Sequence, residues 1–223
     1  LEVETPMLES VASGAMAETF DTYMNAYDVP VHLRICIGEL WQKRLLVGGF
    51  EKTFEIGRAF RNEGVDRQHN PEFTMLEFYW AYASYEENMV LHERMLPYLV
   101  QEAIGTLKVI HDGHEIDFTA PYPRITFRDA IVAHAKIDID EYRTRDELAK
   151  VMQEHGYEVD PASGHGKLLD HLYKQSTRPH IIQPTFVTHY PAELKPLAKR
   201  ASDPQYSEMF QLVVNGFELS NSY

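Results

Sequence analysis

The segment from residue 60 to residue 82 reads FRNEGVDRQHNPEFTMLEFYWAY, and its side chains are of the kinds that bind charged ligands. Arginines, acids, a histidine and aromatic rings alternate here, which a packed core does not require. The arginine, Arg61, carries a planar fork that suits carboxylate and phosphate groups and cannot be neutralised. The pattern therefore predicts a site that binds an anionic ligand by position and charge.

Two strands are expected to hold this segment. Residues 52–60 and 73–82 have strand-like composition, and the connection between them is too long for a tight hairpin, so it is a candidate ligand loop. Alternation along the second strand separates a polar face from an apolar one. We expect the ligand over the polar face, which consists of Phe73, Met75, Glu77 and Tyr79. We expect the protein core over the apolar face, which consists of Leu76, Phe78, Trp80 and Tyr82.

The first strand carries a matching face, which consists of Glu55, Gly57, Ala59 and Arg61. The small residues at positions 57 and 59 predict open room above the sheet, as in the floor of a pocket. A simpler interpretation is that Arg61 forms a cross-strand ion pair with Glu55 or Glu77 on a solvated sheet face.

The segment closely resembles motif 2 of the class II aminoacyl-tRNA synthetases, and HNPEFTMLEFYWAY is similar to the lysyl-tRNA synthetase branch, the lysine–tRNA ligases. The resemblance implies an α+β fold, the class II catalytic core, with a mainly antiparallel sheet flanked by helices. It also implies that Arg61 is catalytic and bridges the substrate carboxylate and the α-phosphate of ATP. The other residues implied to bind ATP are Glu63 and Asn70 at the adenine, Phe73 stacked on it, and His69 near the terminal phosphates.

The stretches SGAMAETF and LRICIGELWQKRLLVGG resemble the amino-acid pocket of the same enzymes, which implies that Gly14 and Glu39 hold the substrate α-ammonium. The simpler interpretation of Glu39 is an exposed acid in the first turn of a helix, favoured by the helix dipole. Glu77 and Tyr79 lie together on the ligand face, and a long cationic side chain needs an anionic, hydrogen-bonding terminus. We therefore expect these two residues to bind the lysine side chain.

The stretch FQLVVNGFELSNSY resembles the family strand that supplies a magnesium ligand, an asparagine for the substrate carboxylate and an aromatic wall. The resemblance assigns these roles to Glu218, Asn221 and Tyr223. Because Glu218 and Asn221 have opposite strand parity, both reach one pocket only if a bulge or a strand end intervenes. The family has a second metal acid at the position of Gln211, and an amide binds magnesium more weakly than a carboxylate does.

The function implied is activation of lysine by ATP and Mg²⁺ to lysyl-adenylate, followed by transfer to the 3′ end of tRNA(Lys). LEVETPML resembles motif 1, whose proline, here Pro6, lies at a dimer interface, so a homodimer is expected. One alternative is a paralogue that attaches a lysine-type group to a protein, and another is a non-catalytic synthetase-like module. The chain starts and stops within strand-like stretches, so we expect part of a catalytic domain, residues 1–223, that lacks motif 3 and is inactive alone.

The middle of the chain reads as an insertion over residues 105–182, with three expected helices near residues 127–135, 145–155 and 167–175. Thr144 and Glu147 make a capping box at the start of the second of these helices. Asn215-Gly216 is a two-residue hairpin signal between the last two strands.

Composition limits the classes that remain. The 223 residues, 44% of them hydrophobic, can bury a sizeable core. No apolar run reaches the roughly 20 residues that cross a bilayer, and the single cysteine, Cys36, excludes an internal disulfide, so we expect a cytoplasmic protein without a membrane partner. The net charge of −13 excludes a surface that wraps nucleic acid indiscriminately.

Overall fold

The computed structural model describes residues 1–11, 17–66 and 69–223. It divides into two compact units, Leu1–Ala83 and Ser84–Tyr223, and each unit is described by itself. Gly14, expected to bind the α-ammonium, lies outside the described residues. No helix in the described ranges has the length and the apolar character needed to cross a membrane.

In its described residues, the first unit contains two antiparallel sheets and one helix. Its elements are β1 (Leu8–Glu9), β2 (Asp21–Met24), β3 (Val29–Leu33), α1 (Glu39–Val47), β4 (Lys52–Phe60) and β5 (Glu72–Trp80). The first three strands pair in the order β1-β3-β2, and β4 pairs with β5. The predicted pair of strands around the ligand loop is therefore confirmed.

The β4–β5 register puts Glu55 opposite Glu77 and Ala59 opposite Phe73. Opposed side chains lie on the same face of a sheet, so the polar face continues across both strands. The opposite face is the more exposed one, because Leu76 is 42% exposed and Ile56, its partner on β4, is 58% exposed. The prediction that this apolar face is the core is wrong for the described residues.

The helix α1 begins where the sequence requires glycine. Gly38 has a φ of +64°, and a Cβ there would collide with Oγ1 of Thr5. The helix ends at Val47, and the Gly48 N–H donates to the Arg44 carbonyl at 2.9 Å. Its buried side chains are Glu39 and Gln42.

The second unit is a four-stranded sheet covered by helices. Its elements are α2 (Tyr85–Ile104), β6 (Lys108–His111), β7 (His114–Asp117), β8 (Arg124–Thr126), α3 (Phe127–Ala135), α4 (Arg145–Glu154), α5 (His165–Ser176), β9 (Thr185–Pro191), β10 (Tyr206–Val214) and β11 (Phe217–Ser222), with 3₁₀ turns at Ile139–Glu141 and Arg178–His180. The sheet order is β11-β10-β9-β8, with only β8 and β9 parallel, and β6 pairs with β7 in a hairpin.

Both faces of this sheet carry a hydrophobic core. Helices α3, α4 and α5 pack on one face against residues such as Val187 and Val213, and Met89 of α2 packs on the other against Phe210. The three predicted helices, the Thr144–Glu147 capping box and the hairpin after β10 are confirmed. The α+β fold with a mainly antiparallel sheet and flanking helices is therefore present. That residues 105–182 are an insertion stays a prediction. Their helices share a hydrophobic core with β9 and β10.

Candidate functional site

A buried and half-buried group of acidic and hydroxyl side chains lies at the start of α1 and on β5. One Glu77 oxygen accepts the Ile37 N–H at 2.8 Å, and the other accepts the Tyr79 hydroxyl at 2.6 Å. Glu39, Cys36 and Glu77 each bring a possible ligand atom within 4.8 Å of the others. The structure therefore brings together three of the residues predicted to bind lysine, Glu39, Glu77 and Tyr79, and we call this group, with Cys36, the Glu77 cluster.

The Glu77 cluster concentrates negative charge away from water. Burial raises the pKa of Glu77, and the Tyr79 hydroxyl and the Ile37 N–H oppose that rise. Burial also raises the pKa of Cys36 to about 12, so its thiol keeps its proton at neutral pH. Lys43 forms an ion pair with Glu39 one helical turn away. Glu39 is therefore a buried, paired acid and not the exposed first-turn acid of the simpler interpretation.

A further buried acid beside this cluster was not found from the sequence. Glu9 is 7% exposed, and its Oε2 accepts no hydrogen bond from the part of the chain that the structure describes. Burial raises the pKa of Glu9, the Arg34 charge opposes this, and the Glu77 charge adds to it. The β1 strand that carries Glu9 is two residues long, too short for an alternation pattern to indicate which side chains are buried.

Arg61 lies immediately after β4 and is held on two sides. Its Nε donates to the Ile35 carbonyl at 3.2 Å, and its guanidinium lies 5.3 Å from the centre of the Phe73 ring. The backbone N–H of Arg61 donates to Pro71 at 2.8 Å, which closes the base of the ligand loop. The structure therefore brings Arg61 and Phe73 together, with the guanidinium held away from Glu55.

The tip of the ligand loop is exposed. Glu63 and Asn70 are exposed, and the His69 ring is bonded to Asp66 at 2.8 Å. Residues 67–68 lie outside the described residues. The ATP roles of Glu63, His69 and Asn70 stay predictions.

The expected open room above Gly57 is filled by Arg34. A Cβ added at Gly57 would lie 2.5 Å from Nη2 of Arg34, so glycine makes space for this guanidinium. Arg34 is 1% exposed and pairs with Glu55, whose carboxylate also accepts from the Thr5 N–H at 3.1 Å. The predicted pocket floor at position 57 is wrong, because a cation from β3's end covers it. Because Arg34 packs over the polar face of the β4–β5 sheet to reach Glu55, this face is buried.

The bulge that Glu218 and Asn221 require is present in β11. Gln211 pairs with Asn221 and Val213 pairs with Glu218, so Leu219 is the extra residue between two registers. Gln211 and Val213 have the same parity on β10, so Glu218 and Asn221 lie on one face of the sheet. The condition stated for a shared site is confirmed, and the roles of Glu218, Asn221 and the exposed Tyr223 stay predictions.

The opposite face of β11 is bonded to α2. The His92 ring, bonded to the Asn88 carbonyl at 2.7 Å, lies 2.7 Å from the Ser220 hydroxyl, and the Asn88 side chain donates to Ser222 at 3.1 Å. Burial lowers the pKa of His92, so a neutral ring that donates to Asn88 and accepts from Ser220 fits both contacts. These bonds fix the orientation of β11.

The residues around Glu218 do not form a magnesium site with two carboxylates. The Gln211 oxygen accepts the Tyr190 hydroxyl at 2.6 Å and is buried, so it is already committed to the protein. Part of the Glu218 side chain is exposed. Burial of its carboxylate raises the pKa of Glu218, and the positive charge of Lys195 opposes that rise. Magnesium prefers carboxylate oxygens, and of the two expected positions, 211 and 218, only 218 supplies one.

Known proteins resemble this chain along its whole length. The family model of the class II tRNA synthetases (D, K and N) matches residues 1–223. Curated proteins named "Lysine--tRNA ligase" align with the whole chain: that of Moorella thermoacetica is 44% identical over 224 residues, and that of Pelotomaculum thermopropionicum is 45% identical over 226 residues. The protein of the same name from Porphyromonas gingivalis is 45% identical over 224 residues. The chain covers 46%, 44% and 38% of these relatives, so it spans less than half of their length.

Proposed function

Because the chain belongs to the class II tRNA synthetases (D, K and N), we propose that the protein containing it activates lysine with ATP and transfers the lysyl group to tRNA(Lys). The observation that carries the lysine assignment is the Glu77 cluster, in which the buried Glu39 and the half-buried Glu77 lie in the unit that also holds Arg61. The names of the relatives, which are lysine–tRNA ligases, support the same substrate. We also propose a cytoplasmic homodimer joined through the segment around Pro6, where Met7 and Leu8 are exposed.

The chemistry of the Glu77 cluster suits the two ammonium groups of lysine. Removing carboxylates from water is unfavourable unless a cation or hydrogen-bond donors compensate them. Tyr79 and the Ile37 N–H supply two donors to Glu77, and each carboxylate oxygen has a second lone pair for a ligand ammonium. In this proposal Glu39 binds the α-ammonium, and Glu77 with Tyr79 binds the side-chain ammonium.

Arg61 has the geometry expected of a group that binds two anions at once. The bond from its Nε to Ile35 fixes the plane of the guanidinium, and Phe73 supports one face of it. The substrate carboxylate attacks the α-phosphate of ATP, and Arg61 holds both groups so that their repulsion does not separate them. Catalysis of this kind rests on positioning and charge neutralisation and uses no side-chain nucleophile.

Amino-acid-dependent exchange of pyrophosphate into ATP tests the proposal in the full-length protein. Lysine should stimulate exchange at least about a hundredfold more than aspartate or asparagine, because a site built for a cation leaves its buried acids unpaired with the wrong substrate. Exchange with asparagine or aspartate would contradict the lysine assignment. Exchange with none of the three amino acids would indicate a non-catalytic module.

Replacing Glu77 by glutamine should weaken lysine binding far more than ATP binding, since the amide loses the charge that the ammonium meets. The amide oxygen can still accept the Ile37 N–H, and the amide NH2 group can donate to the Tyr79 oxygen. Calorimetric titration with each ligand measures the two losses. Glu72→Gln is the matched control, because Glu72 lies on the same strand and forms an exposed ion pair with Arg58 at 3.3 Å. Equal losses for lysine and ATP would mean that Glu77 has only a structural role.

The same titration predicts a pH dependence. Lysine binding requires the ionised Glu77 carboxylate, and burial raises the pKa of this group. Affinity should therefore fall as the pH falls through that raised pKa, at a higher pH than for an ordinary glutamate. The Glu77→Gln variant should lose this part of the pH dependence, and an unchanged profile in the variant would exclude Glu77 as its source.

A further inference from the structure

Glu9 lies on the same face of the β1–β3 ladder as Arg34. The register puts Glu9 opposite His32, and the Arg34 N–H donates to the Met7 carbonyl at 2.9 Å, so the pairing continues one residue beyond β3. Opposed residues, and residues two apart on one strand, share a face of a sheet. The Glu9 side chain is therefore directed to the side from which Arg34 reaches the β4–β5 sheet.

That side carries the Glu77 cluster. The Arg34 guanidinium donates to Glu55 at 2.6 Å, and Glu77 is the residue opposite Glu55 on the polar face of the β4–β5 sheet. The charges agree with this placement, because Glu77 adds to the rise in the pKa of Glu9, and Glu9 adds to the rise in the pKa of Cys36. Glu9 therefore lies beside the Glu77 cluster, within the same unit of the chain.

One carboxylate oxygen of Glu9 can still accept a hydrogen bond. Glu9 is 7% exposed, and its Oε2 receives no hydrogen bond from the residues that the structure describes. Buried polar atoms are nearly always hydrogen-bonded, because removing them from water is otherwise unfavourable. The Arg34 guanidinium compensates the charge of Glu9 in part, but it donates its hydrogen bonds to Glu55 and Thr5.

An alkylammonium group has the chemistry that this oxygen requires. It carries a positive charge and three N–H donors. Tyr79 donates its hydroxyl to Glu77, so the Tyr79 oxygen can accept one ammonium N–H and a Glu77 oxygen a second. Glu9 supplies an acceptor for the third, and the ammonium charge compensates a carboxylate that burial disfavours.

We propose that Glu9 is a specificity-determining residue of the lysine site, and that its Oε2 accepts the third N–H of the side-chain ammonium. This role rests on the proposed function, because it requires lysine at the Glu77 cluster. It separates lysine from an amino acid of similar shape without the ammonium. Norleucine is such a ligand, since it has the four side-chain carbons of lysine and would leave Glu9 and Glu77 without the cation.

Calorimetric titration of the full-length protein with lysine, and with norleucine by displacement, tests this role. Glu9→Gln should weaken lysine binding about 10- to 100-fold and leave the weak binding of norleucine unchanged, because only lysine makes the charged hydrogen bond. Glutamine has the shape of glutamate, so the denaturant midpoint of unfolding should stay the same.

Two results of this titration would overturn the Glu9 role. Equal lysine affinity in the unmodified protein and in Glu9→Gln would mean that Glu9 is protonated or bonded to water. Equal losses for lysine and norleucine would mean that Glu9 only supports the shape of the site.

The matched control is Glu4→Gln. Glu4 lies in the same amino-terminal segment, but its side chain is exposed. This variant removes the same charge from the segment and should bind lysine as the unmodified protein does, since solvent screens an exposed charge. A loss of lysine affinity in Glu4→Gln as large as in Glu9→Gln would overturn the proposal, because the effect would then come from net charge.

The same titrations separate this proposal from the proposed function. Lysine that binds the unmodified protein no more tightly than norleucine would refute the lysine assignment and the Glu9 role together. Tight lysine binding that survives in Glu9→Gln would refute the Glu9 role alone. Lysine-dependent exchange gives a second measure, in which Glu9→Gln should raise the KM for lysine at least about tenfold with the KM for ATP unchanged.

Discussion

Replacing Arg61 by lysine in the full-length protein is expected to lower lysine-dependent ATP–pyrophosphate exchange at least about 100-fold, since losing a partner of a buried charge costs about 3–5 kcal/mol. Lysine keeps the positive charge but has no planar fork to hold a carboxylate and a phosphate together. It also loses the bond from Nε to Ile35 and the flat contact with Phe73, which set the direction of the guanidinium in the structure.

The control for this experiment is Arg58→Lys. Arg58 lies on the same strand, and its side chain forms an exposed ion pair with Glu72 at 3.3 Å. Exposed pairs of this kind contribute about 0–1 kcal/mol, so exchange should stay close to that of the unmodified protein. Near-normal exchange in Arg61→Lys would show that Arg61 does not bridge the reacting groups.

The sequence predicts the elements of this chain well, because the signals for them are local. Alternation of side chains identifies β4 and β5, and the Thr144–Glu147 box marks the start of α4. The need for a bulge in β11 could be predicted, because in a regular strand Glu218 and Asn221 would lie on opposite faces. Its position at Leu219 could not be predicted, since the register depends on the pairing with β10.

The covered face of the β4–β5 sheet could not be predicted, because residues distant in sequence decide it. Counting charges along β4 and β5 suggests a solvated polar face with ligand room above Gly57. The cation that occupies this room comes from Arg34, and Thr5 adds two hydrogen bonds to Glu55 from a segment 50 residues away.

The Arg34–Glu55 pair gives the largest expected effect on stability. The guanidinium is 1% exposed, and it donates to Glu55 at 2.6 Å and to the Arg58 carbonyl at 2.8 Å. Arg34→Met should lower the free energy of unfolding, measured by denaturant titration, by about 3–5 kcal/mol, because Glu55 is left as a buried charge without its cation. A loss below about 1 kcal/mol would mean that water reaches Glu55 and that the pair is not buried in solution.

Removing Arg34 alone breaks the ion pair and also leaves an unpaired charge on Glu55. The double variant Arg34→Met/Glu55→Gln breaks the pair without leaving that charge, so it separates the two effects on stability. A glutamine at position 55 can still accept the hydrogen bonds that Thr5 donates to the carboxylate, and it leaves no charge in the interior. We therefore expect the double variant to be more stable than Arg34→Met alone, with a coupling energy of about 1–3 kcal/mol between the two positions. The two losses would simply add if the residues did not interact.

The Arg34–Glu55 pair also bears on the position of Arg61. The backbone carbonyl of Arg34 accepts the Phe60 N–H at 2.9 Å, and the next carbonyl, that of Ile35, accepts the hydrogen bond from the Arg61 Nε. A chain that loses the pair should thus lose the position of Arg61 with it, and restoring stability in the double variant should restore part of the exchange activity.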